Sequence, residues 1–301
     1  MRILVTDGMD KAAMAKLTEL GHEVVAHFYE PDELGKALRD FDVVVVRSKT
    51  KVRANHVDEA KGSKLKLVIR GGVGVDNIDV KYAEENGIKV TNTPKASSES
   101  VAELALAHMF SLARFVGISN HTMRNGEWNK KQYEGIELNG KTLGLIGMGR
   151  ISQALAKRAC ALGMKVIYTD IIGEIPGLSY AFMTRDEVMK NADFVSLHIP
   201  ASPDGKPVIG ANELALMKPT AFIINTARGG LICEDALCDA LDAGKLAGAA
   251  LDVFASEPLK NERIMKNDKI SLTPHIGGST VEAQGRIGME IVDIITKFFE
   301  K

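Results

Sequence analysis

The stretch Thr142-Leu143-Gly144-Leu145-Ile146-Gly147-Met148-Gly149-Arg150-Ile151-Ser152 decides the fold. A short apolar run ends in glycines, a helical pattern follows from Ser152 to Leu162, and a second run, Lys165-Val166-Ile167-Tyr168-Thr169, leads to Asp170. Strand, glycine turn, helix and strand make a βαβ unit, whose crossover forces the two strands to be parallel. The glycines approximate G-x-G-x-x-G, with Gly147 and Gly149 in the first two places and Ser152 in the third. Gly147 permits the tight turn, and Gly149 lets a pyrophosphate approach the helix N-terminus, where unpaired N–H groups attract anions. Asp170 stands 21 residues after Gly149, where a carboxylate accepts hydrogen bonds from a ribose diol. Ile171 and Ile172 follow, with no Arg for a 2′-phosphate, so the pattern favours NAD over NADP.

The same rhythm extends in both directions. Upstream, Ile3 to Val5, Glu23 to Ala26, Val43 to Val46, Leu67 to Ile69 and Lys89 to Thr91 read as short strands separated by helical segments such as Lys11 to Leu20. Downstream, Phe194 to His198, Ala221 to Asn225, Gly248 to Asp252 and Ile270 to Thr273 continue it, and a last helix runs from Glu282 to Phe299. Two α/β blocks, each a doubly wound parallel sheet, are therefore expected, with the last helix packing back on the first block. Ser100 and Glu103 fit a capping box that opens an apolar helix. The polar segment from Thr122 to Gly140, which carries the single tryptophan, Trp128, reads as an arm.

Composition narrows the function classes. The chain has 301 residues, with 38 Lys plus Arg against 39 Asp plus Glu, a net charge of −1 that argues against nucleic-acid or membrane-surface partners. Its 45% hydrophobic content supports ordinary cores and excludes disorder. No run approaches the 18 or so apolar residues of a membrane span, and the N-terminal run is too short for a signal peptide. Three cysteines without ligand spacing fit reduced thiols and a cytoplasmic setting. The other histidines, His22, His27, His56, His108, His121 and His198, share no metal-ligand spacing either, so no metal site is expected. His108 reads as a packed histidine, whereas His198 follows a strand and lines the cofactor side by position.

Three polar residues follow later strands: Arg228 after Ala221 to Ala227, Glu257 after Gly248 to Val253, and His275 after Ile270 to Pro274. In open α/β sheets ligands bind beyond the carboxyl ends of the strands. A His exchanges a hydroxyl proton, a neighbouring Glu favours its imidazolium, and an Arg grips a carboxylate with two parallel hydrogen bonds. The set suits hydride transfer to and from a 2-hydroxy acid.

Around these residues the sequence resembles the D-isomer-specific 2-hydroxyacid dehydrogenase family. The matching stretches are Asn225 to Gly230, Leu251-Asp252-Val253-Phe254 with Glu257-Pro258, and Pro274 to Thr280. Val46-Arg47-Ser48 with Thr50, Gly71 to Asn77, Asn92-Thr93-Pro94 and Glu137 to Gly144 are most similar to its 3-phosphoglycerate-oxidising branch. The resemblance implies a Rossmann NAD domain (residues 93–276) inserted in a flavodoxin-like substrate domain (1–92 and 277–301), with the substrate in the cleft. It implies a homodimer formed through the NAD domain, with the arm around 122–140. Arg228, Glu257 and His275 match the catalytic trio. Gly147, Gly149, Arg150, Ile151, Asp170, His198, Ile199, Thr226, Ala227, Asp252, Gly277 and Gly278 match cofactor positions, with Asp252 addressing the nicotinamide amide. Arg47, Ser48 and the N–H groups of Gly72, Val73 and Gly74 match substrate positions, and Lys130 and Lys131 supply charge from the partner subunit.

The activity implied is NAD-dependent oxidation of 3-phosphoglycerate to 3-phosphohydroxypyruvate, the first step of phosphorylated serine biosynthesis. Hydroxypyruvate or glyoxylate reduction, D-lactate dehydrogenation and a non-enzymatic NAD(H)-sensing role are the alternatives. Ser152 departs from the usual third Gly and is expected to weaken the cofactor motif slightly. With the sequence stopping at residue 301, serine feedback through an added regulatory domain is not expected.

Overall fold

The computed structural model describes residues 1–202 and 204–300, which divide into two compact units. The first, 1–97 with 278–301, runs β1 (Arg2–Val5), α1 (Lys11–Glu19), β2 (Glu23–Ala26), α2 (Pro31–Leu38), β3 (Val43–Val46), α3 (Ala54–Ala60), β4 (Leu67–Arg70), α4 (Val80–Glu85) and β5 (Lys89–Asn92). The second, 98–277, runs α5 (Ser98–Arg114), α6 (Val116–Arg124), β6 (Thr142–Ile146), α7 (Arg150–Ala161), β7 (Lys165–Thr169), β8 (Ala181–Phe182), α8 (Arg185–Asn191), β9 (Phe194–Leu197), α9 (Ala211–Leu214), β10 (Phe222–Asn225), α10 (Glu234–Asp242), β11 (Gly248–Leu251), α11 (Glu262–Met265) and β12 (Ile270–Leu272). A last helix, α12 (Val281–Phe299), returns to the first unit.

The first sheet has the order β2-β1-β3-β4-β5, all parallel, the flavodoxin-like arrangement. Its strands read as continuous apolar runs because helices cover both faces. Val43 and Val45 point to α1 and α12, meeting Leu17, Ile287 and Ile291, while Val44 and Val46 point to the opposite layer with Leu34, Leu38 and Val57. The second sheet, β12-β11-β10-β9-β6-β7-β8, is the doubly wound dinucleotide-binding order with one added strand, and it too is entirely parallel. One face packs on α5 and α7 through Ala105, Met109, Leu155 and Ala159; the other packs on α8 and α10 through Val188, Leu237 and Leu241. Among the described residues, no single helix is long and apolar enough to cross a membrane.

The chain differs from its sequence reading at several points. The unit boundaries fall at 97/98 and 277/278 rather than at 92/93 and 276/277, because Ala96 is buried in the first unit's core and its carbonyl accepts from Arg286 Nε at 2.8 Å. Ser100 and Glu103 form no capping box: α5 starts at Ser98, so Ser100 lies inside it, and Glu103 instead receives Arg158 Nη2 at 3.0 Å. The arm begins in the last turn of α6 and contains a short 3₁₀ turn, Lys130–Gln132, and α5 meets α6 at a 65° bend. Strand β8 has no sequence signal, since both of its residues are exposed.

Candidate active site

The turn between β6 and α7 is built by its glycines. Gly147 has φ +87°, and a Cβ there would lie 2.6 Å from the His198 carbonyl oxygen and 2.7 Å from Ile199 Cγ2. The loop after β9 therefore closes directly on the turn, at the point where the strand order reverses. Gly149 differs: a Cβ there would meet nothing within 4 Å, and as N-cap of α7 it gives the helix no side-chain acceptor. Open space lies beside a bare helix N-terminus, the arrangement that suits a phosphate. Ser152 is fully buried and donates its hydroxyl to the Gly147 carbonyl at 2.5 Å, so the serine in the third glycine position ties the turn together. Asp170, half-buried just past β7, accepts from Met148 N at 2.7 Å and Ile172 N at 3.2 Å, and its carboxylate retains lone pairs for a diol. Arg150 is exposed at the first turn of α7, followed by half-buried Ile151.

Two polar atoms near these strand ends are sealed from water without a hydrogen-bond partner: His198 Nδ1 and Thr226 Oγ1. Unpaired buried polar atoms are rare and costly, and they mark places where a ligand supplies the missing partner. Burial holds the His198 imidazole down to about 4, so it is neutral at pH 7, with Nε2 2.9 Å from Ser196 Oγ. Ile199 and Ala227 flank these residues and are half-buried. The uncapped helix, the space at Gly149 and the two orphaned atoms fit a dinucleotide.

The three expected chemical residues lie on three loops of the second unit. Asn225 folds the first, accepting from Ala227 N at 3.0 Å and donating to the Arg228 carbonyl at 2.8 Å. Arg228 Nη1 donates to the Ala227 carbonyl at 2.6 Å. Gly229 lets this loop pack on the next, since a Cβ there would lie 1.8 Å from the Phe254 carbonyl oxygen. Glu257 accepts from Phe254 N at 3.2 Å through Oε1 and contacts His275 Nδ1 at 2.8 Å through Oε2. Partial burial pushes the Glu257 carboxyl up. The His275 hydrogen bond and charge, the Phe254 N–H and the Arg228 charge outweigh that and hold it below the usual range. A carboxylate only accepts, so His275 donates from Nδ1, and in the neutral ring the lone pair lies on Nε2. His275 itself has φ +54°, uncommon for a side-chain-bearing residue. Asp252, 1% exposed, fixes the loop on both sides of it, accepting from Thr273 Oγ1 at 2.6 Å, Ile276 N at 2.8 Å and Gly277 N at 2.9 Å. The carboxylate expected to address the nicotinamide is thus engaged in shaping the histidine loop.

Comparison with known proteins gives the family. The profile of the D-isomer specific 2-hydroxyacid dehydrogenase NAD binding domain matches residues 106–277. The chain is 45% identical to the hydroxypyruvate reductase of Thermotoga maritima over 98% of this chain and 97% of that one. The chain belongs to the D-isomer-specific 2-hydroxyacid dehydrogenases. It is also 46% identical to the D-3-phosphoglycerate dehydrogenase of Methanocaldococcus jannaschii over 99% of its own length but only 57% of that relative's. Among solved structures, the NAD-dependent formate dehydrogenase of Staphylococcus aureus in complex with NAD superposes with a TM-score of 0.86 at 30% identity, covering 99% of this chain and 96% of that one. As a 2-hydroxyacid dehydrogenase, the chain takes NAD in its second unit.

In this dehydrogenase the remaining expected residues lie elsewhere. Arg47 and Ser48 follow β3 in the first unit, where Asp7 accepts from Arg47 N at 2.7 Å and Asn77 Nδ2 donates to the Arg47 carbonyl at 2.7 Å. Gly72, Val73 and Gly74 form the loop after β4; Gly72 O accepts from Thr93 N, and Val73 O from Asn92 Nδ2. Gly278 is in the first unit with Ser97 at its side, whereas Gly277 closes the second. Lys130 and Lys131 are exposed on the arm. Sequence reasoning overlooked Arg70 and Glu234. Arg70 Nη2 donates to Ser48 Oγ at 3.2 Å, and its guanidinium fills the place a Cβ on residue 72 would take. Glu234 secures the Glu257 loop by accepting from Ala255 N at 2.8 Å and Asn261 Nδ2 at 3.0 Å. Their partners are 20 or more residues away, so local patterns carried no signal.

Proposed function

We propose that the chain oxidises 3-phosphoglycerate reversibly at C2, using NAD. The observation that carries the chemistry is the 2.8 Å pairing of His275 Nδ1 with Glu257, which leaves Nε2 ready to take the 2-hydroxyl proton. Arg228, anchored by its own loop, binds the substrate carboxylate and steadies the oxygen that becomes the carbonyl. Bound NAD supplies the acceptor for the C2 hydride. Gly147, Gly149, Asp170, His198 and Thr226 hold it, and the absence of an Arg after Asp170 supports NAD over NADP. In the first unit, Arg47 and Lys49 on the loop leaving β3 and Arg70 at the end of β4 supply three cations, which supports a phosphorylated anion as substrate. Hydroxypyruvate reduction is the second reading, favoured by the relative matched over 97% of its length. A homodimer formed through the arm is part of the proposal, supported by Trp128 on the arm, 77% exposed.

One spectrophotometric panel tests the activity and the substrate. NADH formation at 340 nm from 3-phosphoglycerate is expected to exceed that from D-glycerate by about 100-fold in kcat/KM, a preference of about 2.7 kcal/mol. Arg47→Ala is expected to erase the preference, and His275→Ala to lower kcat by about 10²–10⁴-fold with either substrate. Faster turnover of hydroxypyruvate with NADH than of any phosphorylated acid selects the second reading.

A further inference from the structure

Behind Asp252 lies a buried polar chain that the active-site description does not use. His108 sits in the middle of α5, 3% exposed, with Nε2 3.0 Å from Thr273 Oγ1 and Nδ1 2.9 Å from Ser271 Oγ. Residues 271 and 273 are two apart on β12 and its exit, so both side chains face α5. Thr273 has one hydroxyl proton, and the Asp252 carboxylate, which only accepts, takes it at 2.6 Å. The His108–Thr273 contact therefore needs a proton from the imidazole, which places it on Nε2. Nδ1 then accepts from Ser271, whose oxygen stands 3.3 Å from Ser111 Oγ. Burial lowers the His108 pKa, and the nearby Asp252 charge only partly opposes it, in keeping with a neutral ring holding that single proton.

The side-chain carboxylate of Asp252 accepts from Thr273, Ile276 and Gly277, all in the segment around His275, and Thr273 is the donor that His108 orients. We propose that His108 is a positioning residue for His275: its Nε2–H, acting through Thr273 Oγ1 and Asp252, holds residues 273–277 in the conformation that presents the catalytic imidazole. The role rests on the reading of His275 as the acid–base. A buried relay satisfied at each link stiffens what it touches, and a gap at one link loosens the rest.

The test uses three variants of the full chain. A glutamine at 108 places an amide N–H near the former Nε2, an asparagine reaches only the Nδ1 side, and a leucine removes both. His108→Asn and His108→Leu are expected to lower kcat about tenfold, as a loop misplaced by a fraction of an ångström does, with the NADH Kd, read by fluorescence, within twofold of the parent. Amide hydrogen exchange of Ile276 and Gly277, measured without cofactor, is expected to quicken about tenfold in both, with other core amides unchanged. His108→Gln recovers most of the loss, and in a Thr273→Val background His108→Asn adds nothing further. Parental kcat or parental exchange at those amides in His108→Asn overturns the proposal, as does a His108→Gln variant no better than His108→Asn. Should the leucine variant not fold, the asparagine and glutamine variants decide. Turnover is measured with whichever 2-hydroxy acid the parent enzyme uses, and the exchange readout needs none. A normal His275→Ala enzyme defeats the acid–base reading itself, whereas a dead His275→Ala with an unaffected His108→Asn defeats only the relay.

Discussion

The first strand of each sheet turns through a glycine into a helix, and the two turns are finished in opposite ways. In the first unit β1 leads through Gly8 to α1, where the Asp10 side chain caps the helix by accepting from Ala13 N at 2.9 Å. In the second, β6 leads through Gly147 to α7, and the N-cap is Gly149, with no side chain and clear space beside it. One helix satisfies a leading N–H with its own carboxylate; the other has no side-chain acceptor at its N-cap. A shared topology thus yields one turn closed by a side chain and one left open, and the difference rests on a single residue at each N-cap.

Moving that carboxylate breaks the contrast. Gly149→Asp has room and an ordinary φ of −75°, so the protein is expected to fold with unchanged or slightly raised thermal stability. Its affinity for NADH is expected to fall about 100-fold or more in a fluorescence titration, because the new charge faces the pyrophosphate. The converse change, Asp10→Ala, is expected to cost about 1 kcal/mol in denaturant unfolding, with the NADH affinity untouched. An Asp10→Ala enzyme that loses cofactor would show that the two turns are not independent.

A finer parallel lies at the other end of the sheets. Asp42 accepts from Arg2 N at 2.7 Å across the β1–β3 pair, and Asp193 accepts from Thr142 N at 2.8 Å across the β6–β9 pair. Asp193 adds an ion pair with Lys218 at 2.9 Å. Burial pushes its carboxyl up, but the Lys218 hydrogen bond, the Thr142 N–H and the Lys218 and Lys141 charges together bring it below its ordinary value. A carboxyl depressed in the folded state stabilises above its unfolded pKa, and that contribution disappears as pH falls through the folded value. Asp193→Asn is therefore expected to lose about 1 kcal/mol at pH 7 and to show a shallower loss of stability below about pH 4 than the parent.

The sheets were legible because parallel strands buried on both faces must be apolar throughout, as in Val43 to Val46. The cofactor turn was legible because its constraints are local, with Gly147, Gly149 and Asp170 inside one βαβ unit. Cap assignment among Ser97, Ser98 and Ser100 failed because three candidates stand within four residues and only packing selects the start of α5. The hydrogen bonds of Asp252 to 273–277 were not legible. Those bonds, like the contacts of His108 with Ser271 and Thr273, join residues 21 to 165 apart, and no periodicity encodes such pairs.

Within the first unit, the points where the polypeptide departs and comes back are neighbours: a Cβ on Gly278 would sit 3.5 Å from that of Ser97. The whole second unit is therefore an excursion spliced into a lobe whose two cut ends already touch. Excising residues 98–277 and joining the ends with a few residues would restore an uninterrupted five-stranded domain, available as a host into which other catalytic modules could be grafted.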